Sequence, residues 1–244
     1  MGSPLIIVTG GSAGLGRALL THAPADATRI DVSRSGPDDD AIEHLAADLA
    51  DPSSWAGVGD VLAARIAAAA DAPRVTFVHN AGALDPIGFA GEVDADAYHR
   101  LVLLDAAAPL VLGHRVLTAL TAHGAARREL VQLTSGAART AYPGWSAYGA
   151  AKAGVDQWVR TVSAEQRDRG NVRVTAIAPG VVATGMQAAI RDTDPTDFPN
   201  VARFHDLHHA GQLTDPDDAA RALWTRLDDA FADPDLGPVL DLRS

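Results

Sequence analysis

Apolar positions along the chain follow two alternating patterns. Short β-branched runs alternate with Ala-rich stretches at helical spacing, the order expected of a parallel sheet covered on both faces. Residues 5–9 (Leu-Ile-Ile-Val-Thr) read as a first strand buried on both sides, and a helix opens over 14–21. Strands follow at 28–33 and 42–47, although the pattern of the latter also suits a helix. Only residues 34–41, mostly Gly, Pro and Asp, separate these two strands. A crossover helix does not fit in that length, so this connection is expected to be a turn or a single helical turn.

Further along, the pattern predicts a helix over 53–70 and a strand over 74–79. A helix in two parts then covers 95–122, with Pro109 near the junction. A strand at 129–134, a helix at 145–169, a strand at 172–178, a helix at 215–231 and a last strand at 238–242 complete the series. The fold class is therefore α/β: a single-domain, doubly wound parallel sheet of about seven strands with helices on both faces. Residues 184–213 fit none of this neatly. They carry Asp192, Asp194, Pro195 and Pro199, then a possible helix through His205 and His209. An irregular insertion of that length in a compact domain is usually functional, and a substrate lid is expected here.

Composition narrows the function. The 244 residues are 47% hydrophobic with a formal net charge of −11. That balance opposes a nucleic-acid surface, which needs a basic stripe, and docking on anionic lipid. Cysteine is absent, which excludes disulfides, thiolate metal sites and cysteine nucleophiles. The N-terminus Met1-Gly2-Ser3-Pro4 has no signal-like pattern, and no stretch is read as apolar enough to span a membrane. A cytoplasmic, soluble protein is expected. His205, His208 and His209 lack a positioned carboxylate and are read as a solvated helix face, with no metal expected.

Candidate chemistry begins directly after the first strand, in Thr9-Gly10-Gly11-Ser12-Ala13-Gly14-Leu15-Gly16. A dinucleotide pyrophosphate needs backbone N–H groups at close range and a helix N-terminus aimed at it, and glycine permits that approach. At the end of the second strand, an acid would bond the ribose 2′-hydroxyl of NAD, whereas an arginine accommodates the 2′-phosphate of NADP. Ser33 and Arg34 stand there, with Asp31 a weaker candidate for the acid. The expected cofactor is NADP(H).

Tyr148 and Lys152 lie four residues apart on a helix and so share one face. Lys152 is the only lysine among twenty basic residues. A phenol ordinarily titrates near pH ~10, and an adjacent ammonium favours the phenolate and pulls that value toward neutrality. The pair suits proton transfer to or from a carbonyl or alcohol oxygen. Ser135 falls at the carboxyl end of the fifth strand, where ligands of α/β sheets bind. Its hydroxyl can orient a carbonyl or satisfy a local turn.

The Thr-Gly-x-x-x-Gly-x-Gly spacing, Asn80-Ala81-Gly82 after the fourth strand and Tyr148-x-x-x-Lys152 together resemble the short-chain dehydrogenase/reductase family, whose fold is Rossmann-type. The resemblance covers nearly the whole chain. It implies that Ser135 joins Tyr148 and Lys152 in catalysis. It also implies cofactor contacts from the glycine loop (Gly10, Gly11, Ser12, Gly14, Leu15, Gly16), from Asp48 and Leu49 near the adenine, and from Asn80, Ala81 and Gly82. Tyr148 and Lys152 themselves, with Pro179, Gly180, Val182 and Thr184, complete that set.

There are two departures. His79 replaces an Asn before Asn80, and is expected to matter little. Asp105 stands where the family has a catalytic Asn, and it either keeps that role or is structural. An aspartate there would raise the pKa of Lys152. Segments such as Tyr142-Pro-Gly-Trp145-Ser-Ala-Tyr148 and Pro179-Gly-Val-Val-Ala-Thr184-Gly-Met186 are similar to the bacterial sepiapterin reductase and benzil reductase branch. That likeness implies a vicinal dicarbonyl as the small-molecule substrate, with Gly136, Tyr142, Trp145, Val181 and Met186 lining its pocket. Trp145 and Met186 also fit simple packing.

A homodimer is implied through the helices around 101–120 and 145–167, with a tetramer as an alternative. Three other readings stay open: a non-catalytic NADP-binding sensor, alcohol oxidation by the same site, and an epimerase or dehydratase. The chain is short for the last.

Overall fold

A computed structural model describes residues 2–169, 172–233 and 235–243. The strands are β1 (Leu5–Thr9), β2 (Thr28–Ser33), β3 (Ile42–Ala46), β4 (Arg74–His79), β5 (Arg127–Leu133), β6 (Arg173–Ala178) and β7 (Val239–Asp241). The helices are α1 (Gly14–Thr21), α2 (Ser54–Ala68), α3 (Ala95–Val102), α4 (Ala108–Ala122), α5 (Ser146–Arg169), α6 (Gly185–Arg191), α7 (Val201–His209) and α8 (Pro216–Ala232). The strands form one sheet in the order β3-β2-β1-β4-β5-β6-β7, and every pairing is parallel.

Side-chain alternation explains the two covered faces, because successive residues of a strand point to opposite sides. Leu5 and Ile7 of β1 join Val75 and Phe77 of β4 against Leu62, Leu112, Val116 and Val159 of α2, α4 and α5. Ile6 and Val8 join Val78 and Val131 against Leu19 of α1 and Leu223 and Leu227 of α8. The short connection between β2 and β3 holds no helix, as its length requires.

The junction expected near Pro109 is a π-helical turn over Leu103–Ala107, in which the Ala108 N–H reaches back to the Leu103 carbonyl. Pro109 has no N–H to return to the Asp105 carbonyl, and its ring crowds the preceding turn. Widening that turn lets the helix continue unbroken. One expectation is corrected here: the continuous helix Ala95–Ala122 is long and apolar enough, by length and composition, to cross a membrane. In the fold it lies along the sheet, with Leu101, Leu112, Val116 and Leu120 buried in it.

Residues 184–213 form α6 and α7 rather than an irregular loop. Ile190, Phe198, Val201 and Phe204 pack there on Trp145 and Tyr148. The Trp145 ring stacks on Phe198 at 4.5 Å. This small apolar cluster, separate from the two faces of the sheet, seats the α6–α7 segment over the carboxyl end of β5 and β6.

Candidate active site

The chain order reverses between β1 and β4, the kind of point where open α/β sheets bind ligands. A cleft of about 1010 Å³ opens there. The glycine loop forms one wall. Gly10 and Gly14 have φ of 70° and 54°, values that favour glycine. A Cβ on Gly16 would strike the Gly10 carbonyl oxygen and lie 2.5 Å from Asn80 Nδ2. The N-terminus of α1 carries no side-chain cap, so its first N–H groups have no side-chain partner. Backbone without side chains around an uncapped helix start is a cradle that fits a dinucleotide pyrophosphate.

All but one of the residues assigned above to catalysis, the cofactor or the substrate line this cleft, and the weaker acid candidate Asp31 does not. The exception is Gly11, whose N–H donates to Asp31 Oδ1 at 2.6 Å on the reverse side of the loop. Asp31 is fully buried. Its Oδ2 accepts the Ser33 hydroxyl at 2.5 Å and is 2.9 Å from His44 Nδ1. Gly11 is therefore a loop-anchoring residue, and the Ser33 proton is spent internally. Arg34 remains as the exposed cation at the end of β2. Alternation along β2 puts Asp31 and Ser33 on one side of the strand, which is the sequence signal for this bond.

Two further residues of the cleft also have partners within the fold. Asn80 Nδ2 donates to the Thr9 and Gly10 carbonyls at 3.0 and 3.2 Å, so its amide ties the loop to β1. Asp48 Oδ1 accepts the Ala50 N–H at 3.0 Å, and its Oδ2 lies 3.2 Å from Arg100 Nη2. The Ala50 N–H, together with the charges of Arg100 and Arg34, holds the Asp48 carboxyl below its usual range.

At the other end of the cleft, Tyr148 lies in the first turn of α5 with Lys152 one turn later. Lys152 Nζ is 5.5 Å from the Tyr148 ring centroid and 3.2 Å from Asp105 Oδ2. Asp105 is fully buried in the π turn, and its Oδ1 accepts the Ala83 N–H at 2.8 Å. Ser135 Oγ accepts the Ala137 N–H at 3.2 Å, so it closes a local turn and still lines the cleft.

The electrostatics differ from the sequence expectation. Burial pushes the Tyr148 phenol above its ordinary value. Lys152 pulls it down, Asp105 pushes it up again, and the Ser135 hydroxyl lowers it less. Burial acts to depress the Lys152 ammonium, but the charges of Asp105 and Tyr148 outweigh it and the net shift is upward. Burial likewise raises Asp105 against the pull of Lys152.

His79 lies in the interior. It is fully enclosed, and burial followed by the Lys152 charge lowers its pKa to about 3, so the ring is neutral behind the site. Sequence reading also missed Arg100, Arg203 and Arg243, all of which line the cleft. Nothing in their local sequence marks them, because each arrives from a different element.

A family model for the short chain dehydrogenases matches residues 4–195. The chain is 33% identical over 233 residues to the benzil reductase ((S)-benzoin forming) of Bacillus subtilis, covering 92% of this chain and 93% of that one. It is 27% identical over 248 residues to the sepiapterin reductase of Bos taurus, covering 93% and 90%. A short chain dehydrogenase/reductase structure from Saccharomyces cerevisiae superposes with a TM-score of 0.81 at 25% identity, covering 99% and 97%. A chain from Beutenbergia cavernae described as an NAD(P) dependent gluconate 5-dehydrogenase, solved with NADP bound at low occupancy, gives 0.77 at 28% identity, covering 99% and 96%. With the glycine cradle, the Tyr148–Lys152 pair and this match in hand, the chain belongs to the short-chain dehydrogenase/reductase family.

Proposed function

We propose that this protein is an NADPH-dependent carbonyl reductase acting on vicinal dicarbonyl compounds, with Tyr148 as the proton donor. The observation that carries the reading is the buried Tyr148 phenol at the substrate end of a cleft whose other end is a glycine cradle. The glycine loop would hold the pyrophosphate, and Arg34 the ribose 2′-phosphate. Asp31, enclosed and fully bonded, offers no acid for a free 2′-hydroxyl, which supports NADP over NAD. When bound, the reduced cofactor supplies hydride to the carbonyl carbon.

The chain's own residues handle the oxygen. Ser135 orients the carbonyl by donating a hydrogen bond to it. Tyr148 then passes its proton to that oxygen as negative charge builds there. A phenol is protonated at neutral pH and so is in the form that reduction needs. Lys152 stabilises the resulting phenolate, and Asp105 fixes the ammonium in place. Trp145, edge-on to Tyr148 at 5.7 Å, and Tyr142, 5.0 Å from Trp145, give the substrate a flat apolar wall. The α6–α7 segment acts as the lid that excludes water. The benzil and sepiapterin reductases among the relatives support a dicarbonyl with an aromatic body.

The test is cofactor oxidation by the purified protein, with NADPH or NADH, against benzil, an aliphatic vicinal diketone, sepiapterin and a monoketone. NADPH-specific turnover of a diketone is expected. Measurable NADPH binding with no turnover of any of these carbonyls would overturn the reading and favour a cofactor sensor.

A further inference from the structure

Four arginines line the cleft: Arg34, Arg100, Arg203 and Arg243. Two are already neutralised by carboxylates. Arg100 pairs with Asp48 at 3.2 Å and Arg243 with Asp241 at 2.7 Å. Among the described residues, neither Arg34 nor Arg203 has a carboxylate at ion-pair distance. Arg34 is accounted for by an anionic cofactor. Arg203 lies at the substrate end and has no such partner.

Its placement is specific. Val201 and Phe204 bury the inner side of α7 in the apolar cluster over Trp145, which leaves Arg203 exposed on the cleft side. Arg203 Nη1 donates to the Tyr142 hydroxyl at 2.8 Å, and its guanidinium carbon is 5.9 Å from the Tyr142 ring centroid. Tyr142 in turn contacts Trp145, and Trp145 contacts Tyr148. A chain of two aromatic rings, Tyr142 and Trp145, therefore links this guanidinium to the proton donor. Of the carboxylates lining the cleft, Asp48 and Asp105 pair with Arg100 and Lys152, and among the described residues Asp85 forms no ion pair with Arg203.

We propose that Arg203 selects carbonyl substrates that carry a carboxylate on the far side of an aromatic body. This inference rests on the reductase reading above and refines its substrate class. The aromatic wall takes the flat body and Tyr148 meets the carbonyl. The Arg203 fork, steadied by Tyr142, receives the carboxylate in the bidentate geometry that suits it. In a protein with net charge −11, the overall field disfavours an anion, so a local cation is needed to admit one.

The experiment compares benzil with its 4-carboxylate in the wild-type protein, Arg203→Met and Arg203→Lys. The wild type is expected to prefer the carboxylate by about tenfold in kcat/KM, a factor typical of one charge-assisted contact. The preference should reside in KM, fall to near one in Arg203→Met and partly survive in Arg203→Lys. No preference in the wild type, or a preference unchanged in Arg203→Met, overturns the proposal. If neither diketone is reduced, the reductase reading fails on its own. Binding of the carboxylate, followed by tryptophan fluorescence in wild type and Arg203→Met, then still decides the role of Arg203: weaker binding in the variant upholds it and equal binding overturns it.

Discussion

Lys152 Nζ stands 3.2 Å from Asp105 Oδ2, and both side chains are enclosed within the protein. The family has a catalytic Asn at this position, and an aspartate there was expected either to keep that role or to be structural. A carboxylate in direct contact with the lysine changes the local charge balance, and so the proton donor it serves.

The first prediction concerns pH. Asp105 is one of the causes that raise the Tyr148 pKa, after burial. Reduction needs the protonated phenol, so its rate falls as pH rises through that pKa. Removing the Asp105 charge lowers the pKa and moves the alkaline limb of kcat to lower pH. Asp105→Asn should show this downward shift. It should also unfold more easily, because breaking a buried ion pair costs roughly 3–5 kcal/mol. A pH profile that is unchanged, or moved upward, would place Asp105 outside the electrostatics of the site.

Arg34 should set the choice between the two cofactors. Replacing it by alanine removes the exposed cation at the end of β2 and leaves the glycine cradle intact. The kcat/KM for NADPH is expected to fall about tenfold or more, as for loss of a charge-assisted phosphate contact. The value with NADH should change little. Equal losses with both cofactors would show that Arg34 does not read the 2′-phosphate.

Asp31 acts from behind the loop, and its variants should separate that role from ribose recognition. Asp31→Ala leaves the Gly11 N–H and the Ser33 hydroxyl without their acceptor, at a cost of about 1–3 kcal/mol each. Thermal unfolding should therefore move down by several degrees, with weaker NADPH binding. Asp31→Asn keeps part of the network and should fall in between. If Asp31→Ala instead keeps its thermal stability and shifts preference toward NADPH, then Asp31 contacts the ribose.

The sheet was legible because its strands are buried on both faces and read as unbroken apolar runs, as in Leu5–Val8. The stunted link between β2 and β3 followed from length alone. The glycine cradle and the Tyr148–Lys152 pair were also legible, since each lies within one local segment. What escaped depends on contacts between distant elements. Asp31 meets Gly11 only because β2 lies beside β1, so its carboxylate looked free in the sequence. The π turn that buries Asp105 follows from the donor missing at Pro109, but sequence alone placed a mere junction there. The upward net shift of Tyr148 reflects its burial, which the four-residue spacing to Lys152 does not reveal. Arg203 faces Tyr142 only because α7 folds back over Trp145.

The central claim, that Tyr148 gives its proton to a carbonyl oxygen, is tested most directly by Tyr148→Phe. The measurement is the NADPH-dependent reduction of benzil, alongside the NADPH dissociation constant of the same preparation. The account predicts a loss of turnover of roughly 10²–10⁴-fold, the usual contribution of a positioned acid, with cofactor affinity within about twofold of wild type because the phenol does not hold the cradle. Substantial benzil reduction by Tyr148→Phe would contradict it.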